Sequence, residues 1–83
     1  MIGEADIASE ILRQCAARAP YRTICASEVA RALWPADWRP RMSEVRAVGF
    51  ALATVGKIAI TQGGEVCRPS VSIRGPIRYR LLL

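Results

Sequence analysis

Proline and glycine punctuate this chain so closely that no regular element can run far before it is stopped. Pro20, Pro35, Pro40, Pro69 and Pro76, with Gly56 and the Gly63-Gly64 pair, divide its 83 residues into short segments. Proline lacks the N–H that helices and sheets require, and glycine supplies the positive-φ backbone that ends helices and closes tight turns. The apolar residues between these stops follow a helical period in the first two thirds of the chain and a strand-like alternation afterwards.

In Glu4–Arg18, Ile7, Ile11, Leu12 and Cys15 recur at intervals of three and four, which predicts a helix with one buried face. Glu4 and Asp6 sit where the helix dipole favours acids. Ala19-Pro20 ends this helix, because the residue before proline is driven out of helical geometry. Thr23-Ile24-Cys25 is long enough only for an extended stub. A second helix begins near Cys25–Ser27, turns Val29, Ala30 and Leu33 inward, and closes at Trp34-Pro35. Ala36–Pro40 connects it to a third helix, with Trp38 as a lid on the core and Pro40 in the new helix's first turn.

The third helix, Pro40–Val55, is expected to be the longest element. It sets Met42, Val45, Val48, Gly49, Leu52 and Ala53 on one side, Arg39, Arg46 and Phe50 on a flank, and Ser43, Ala47, Ala51 and Thr54 outward. Gly56 is its left-handed stop. Lys57–Gln62 reads as a strand, Gly63-Gly64 as a tight turn and Glu65–Arg68 as the return strand. Pro69–Pro76 is a loop, and Ile77–Leu82 a last extended stretch with Ile77, Tyr79 and Leu81 on one face and Arg78 and Arg80 on the other. The expected fold is α+β, mainly α: one winged-helix domain over residues 1–83, with a helix-turn-helix and a C-terminal β-hairpin wing. Its core comprises Ile7, Ile11, Leu12, Val29, Leu33, Val45, Leu52, Ile58 and Ile60. The apolar Leu81-Leu82-Leu83 end is expected to dock on this core; the alternative is support of a dimer, so monomer and weak dimer both stand.

The strings Thr23-Ile24-Cys25-Ala26-Ser27-Glu28-Val29-Ala30-Arg31-Ala32-Leu33, Trp34-Pro35, Trp38-Arg39, Met42, Val45-Arg46, Leu52-Ala53, Gly56-Lys57-Ile58, Ile60-Thr61-Gln62 and Gly75-Pro76-Ile77-Arg78 span nearly the whole chain in fixed order. In these the sequence resembles DUF3253, a family of short bacterial proteins. The resemblance implies a winged-helix-like fold and assigns no reaction, cofactor or catalytic residue. Ala26, where the family usually has proline, and Cys67, where it usually has an acid, depart from the pattern.

Charge gives the first functional direction. Residues 1–38 carry four arginines and five acids, whereas residues 39–83 carry eight basic residues and two acids. A concentrated positive field suits a polyanion, through phosphate neutralisation and counterion release; the competing reading is an ordinary solvated surface. The expected partner is duplex DNA, gripped by Arg39, Arg41 and Arg46 at helix three, Lys57 at the hairpin, and Arg68, Arg74, Arg78 and Arg80 in wing and tail. The outward face of helix three has none of the Asn, Gln or Arg that read bases bidentately, so sequence specificity is not expected. The alternative is a protein partner on a winged-helix adaptor surface.

Enzymatic chemistry is not expected. The chain has no histidine, no Gly-rich phosphate loop and no metal-ligand spacing. Its three cysteines form no CxxC pair and point to a reducing, cytoplasmic setting, and no apolar run suits a membrane or a signal peptide. Cys25, near a helix N-terminus, is the best of three poor nucleophile candidates and reads instead as a small buried or capping-position residue, and Glu28 reads as a cap of helix two. Arg46 is free to meet Glu28 in an ion pair. Trp34, Trp38 and Phe50 read as core aromatics, and Tyr79 between two arginines is kept as a candidate stacking platform.

Overall fold

The computed structural model describes residues 1–69 and 73–82. Its elements are α1 (Glu4–Arg18), β1 (Ile24–Cys25), α2 (Ala26–Leu33), a 3-10 turn (Arg39–Arg41) running into α3 (Met42–Thr54), then β2 (Ile58–Gln62), β3 (Glu65–Cys67) and β4 (Arg78–Leu81). Roughly half of the chain is helical, and the four strands form one antiparallel sheet in the order β1-β4-β2-β3. The architecture is α+β with helix predominant, as expected, but α1 with its 15 residues is longer than α3 with 13, which corrects the expectation that helix three is the longest element.

Local chemistry explains the helix limits. The Gly3 N–H donates to Asp6 Oδ2 at 2.8 Å, occupying a donor that α1 itself leaves free. Ile7, Ile11 and Cys15, each four residues apart, form its buried stripe, and Ala19 turns extended before Pro20. At α2 the Cys25 N–H donates to Glu28 Oε2 at 2.7 Å, so Glu28 is the expected cap. Pro40 lies in the 3-10 turn that feeds α3. At the far end of α3, Gly56 adopts φ +79°, its N–H donates to the Ala53 carbonyl and the Lys57 N–H to that of Leu52. This paired closure satisfies two carbonyls the helix leaves open.

Gly63 and Gly64, with φ +60° and +86°, close the β2–β3 hairpin. The last strand is not a free tail. β4 lies inside the sheet, pairing with β2 through Ile58↔Leu81, Ala59↔Arg80, Ile60↔Tyr79 and Thr61↔Arg78, and with β1 through Ile24↔Tyr79 and Cys25↔Arg78. The stub at Ile24-Cys25 is thereby a strand. One inner row, Ile24, Tyr79, Ile60 and Cys67, crosses all four strands, and its first three residues are fully buried beneath the helices.

The expected core is present, with Leu12 and Leu33 only half-buried at its edge. Ile24, Ile77, Phe50 and Tyr79 join it. Tyr79 is the largest fully buried side chain, which corrects its reading as a stacking platform: alternation along β4 turns it inward, between arginines that point outward. Leu82 is 43% exposed, so that part of the tail does not dock; Leu83 lies outside the described residues. Among the described residues, no helix is long and apolar enough to cross a membrane.

Candidate nucleic-acid interface

Two successive turns join α2 to α3. The Trp34 N–H donates to the Ala30 carbonyl, the Asp37 N–H to Trp34 and the Arg41 N–H to Trp38. This path brings together five side chains that are scattered in sequence. The Arg31 and Arg39 guanidinium carbons stand 4.4 and 4.8 Å from the centre of the Trp38 ring, and that of Arg41 stands 5.3 Å from the Trp34 ring. Both indoles are half-buried against the core, so the rings are fixed and the cations lie at the surface. Such contacts contribute about 0.5–1 kcal/mol each at exposed sites. A guanidinium held over a ring face leaves N–H donors open to solvent, the groups that grip a phosphate. Arg41 also meets Glu44 at 3.1 Å, a surface pair of little energetic weight.

The expected binding residues do not form one patch. Arg39 and Arg41 gather at this junction with Arg31. Arg46 crosses to the loop before β4, where its Nη1 donates to the Gly75 carbonyl at 2.9 Å and its Nη2 to that of Ile73 at 2.6 Å, which places it beside Arg74. It does not pair with Glu28. That carboxylate is held by Arg18 at 2.7 Å; burial pushes its pKa up, but the Cys25 N–H and the Arg18 guanidinium outweigh burial and hold it below the usual range. Arg78 is likewise engaged, donating to Thr23 and Cys25. Arg80 sits opposite Ala59 on β4's outer face, while Lys57 and Arg68 are exposed at the start of β2 and just beyond β3.

Replacing Arg46 by alanine removes charged donors from two loop carbonyls and is expected to lower unfolding stability by about 1–2 kcal/mol. The shift of a urea midpoint measures this. An unchanged midpoint would show that the loop does not depend on Arg46.

Arg31 was not among the expected residues because it lies in the acidic half of the chain. The signal that finds it is the interleaving of cations and indoles, Arg31, Trp34, Trp38, Arg39 and Arg41, in eleven successive positions. The exposed face of α3, by contrast, carries Ser43, Glu44, Ala47, Ala51 and Thr54, with Val55 just beyond its end, and no cation. It forms one wall of a 730 Å³ groove whose other wall is the start of α1, at Ala5, Ile7 and Ala8.

The family model described as "Protein of unknown function (DUF3253)" matches residues 4–82. The chain belongs to this family. The DUF3253 match covers all three helices and all four strands, so the Arg–Trp junction lies within the family's domain. No curated protein matches the DUF3253 chain significantly.

Proposed function

We propose that this DUF3253 domain is a winged helix that binds duplex nucleic acid without catalysis and grips the sugar–phosphate backbone chiefly through Arg31, Arg39 and Arg41. The observation that carries the reading is the placement of these guanidiniums over the Trp38 and Trp34 rings where α2 meets α3. In a winged helix, α2 and α3 are the helix-turn-helix and the β2–β3 hairpin is the wing; the head of the second helix of that pair approaches the duplex. Arg68 beyond β3 supplies a further cation on the wing side. The fit is to backbone rather than bases, since past its first turn α3 exposes no side chain of the type that reads base edges in pairs.

The test is fluorescence anisotropy with a labelled random-sequence duplex at low and near-physiological salt. The wild-type chain should bind with an affinity that falls steeply with salt, by a log–log slope of about −0.9 per phosphate contacted. Arg31→Ala/Arg39→Ala should weaken binding about tenfold or more at low salt and flatten the slope by roughly two contacts, while Arg46→Ala leaves both unchanged. Absence of binding at low salt, or binding indifferent to the double substitution, overturns the reading and turns the search to a protein partner.

A further inference from the structure

We propose that the cleft between the α1–β1 turn and the outer face of β4 binds a phosphate group carrying an aromatic base, such as a nucleoside 5′-monophosphate or the phosphorylated end of a single strand. The cleft encloses 530 Å³ and is lined by Arg18, Tyr21, Arg22, Thr23 and Arg78, within the size range of small-molecule sites. Three of those five residues are arginines from two distant parts of the chain. The Arg18 Nη1 and the Arg78 Nη2 both donate to the Thr23 carbonyl oxygen, at 3.4 and 3.2 Å. Two like charges converging on one oxygen repel each other, and Arg22 adds a third beside them. Glu28, paired with Arg18, offsets one, which leaves an excess of two positive charges at the cleft.

The guanidiniums are also held in place. Arg78 Nε donates to Thr23 Oγ1 at 2.5 Å and Nη1 to Cys25 Sγ at 2.7 Å. With the bond to the Thr23 carbonyl, three of its five N–H donors are engaged and the rest stay available. An anion arriving here meets fixed donors, so little side-chain entropy is lost on binding. Tyr21 completes the site: its side chain is 85% exposed at the rim, a flat apolar surface left in water where it can stack a base. None of these residues belongs to the Arg–Trp junction, so this proposal does not rest on duplex binding, and each can fail alone.

The experiment is a ¹⁵N–¹H NMR titration of the full chain at low salt with inorganic phosphate, adenosine 5′-monophosphate and adenosine, on wild type, Arg22→Ala and Tyr21→Ala. Both positions are exposed, so neither substitution removes a core contact. Phosphate and the nucleotide should shift signals of residues 18–23 and 78. Arg22→Ala should weaken both ligands about tenfold, whereas Tyr21→Ala should weaken the nucleotide about tenfold and leave inorganic phosphate unchanged. A short single strand with and without a 5′-phosphate separates the two sources: dependence on that phosphate supports the strand end, and binding of the nucleotide alone supports a free nucleotide. No shifts at these residues, adenosine binding as well as its monophosphate, or both variants behaving as wild type overturns the proposal.

Discussion

Gly49→Ala is expected to destabilise the protein by about 3 kcal/mol, the upper end of the range for overpacked cores. The sign is opposite to the usual one, since alanine in place of glycine within a helix ordinarily gains about 1 kcal/mol. A Cβ at position 49 would stand 2.5 Å from Tyr79 Oη, 2.6 Å from Cζ and 2.7 Å from Cε1. The ring cannot swing aside: it is fully buried, β4 is paired on both sides at this residue, and its hydroxyl reaches the Val45 carbonyl at 3.4 Å. Either α3 lifts off the sheet or the ring leaves its rotamer. Urea unfolding measures the loss. In a Tyr79→Phe background, which removes the hydroxyl oxygen nearest the added Cβ, the cost of Gly49→Ala should shrink, a coupling read from the double-mutant cycle. A Gly49→Ala chain as stable as wild type would falsify the close packing of α3 on β4.

The second large effect is alkaline lability. Burial pushes the Cys15 thiol up to about 11, and burial also pushes the Tyr79 phenol well above its ordinary value, with Arg46 acting in the lowering direction and Cys15 in the raising one. In the unfolded chain these groups lose their protons near about 8.5 and 10. Between those values and the raised folded ones, the unfolded state binds fewer protons than the native state, so stability falls as pH rises. Each group contributes a slope of about 1.4 kcal/mol per pH unit in its window. Stability should therefore hold to about pH 8 and drop by about 4 kcal/mol by pH 11, about 3 from Cys15 and about 1 from Tyr79, seen as a falling urea midpoint. In Cys15→Ala the decline should begin about one and a half units higher. A midpoint that stays flat to pH 11 overturns the prediction.

Much of the fold was legible because its signals are local. The α1 limits, Glu4 to Arg18, follow from an acid-rich first turn and from Pro20; the ends of α2 and α3 follow from Trp34-Pro35 and Gly56. What escaped was pairing. Thr23-Ile24-Cys25 is too short to announce a strand, and nothing near Arg78 says that β4 enters between β1 and β2. The site followed the same division. Arg39 and Arg41 could be picked by charge, but Arg31 could not, because counting charge by halves of the chain placed it among acids. Arg46 and Arg78 read as duplex-binding residues on charge alone, but both guanidiniums donate to loop carbonyls away from the Arg–Trp junction.

By itself the sequence determined where helices and turns begin and end, which faces are apolar, and that positive charge is concentrated after residue 38. These properties arise from interactions within one or two turns of chain, which a short window of residues contains in full. Only the tertiary structure decided the strand order, the burial of Tyr79 against Gly49, and which arginines remain open to a partner. Those depend on contacts between residues far apart in the chain, where register and packing, not residue type, select the neighbour.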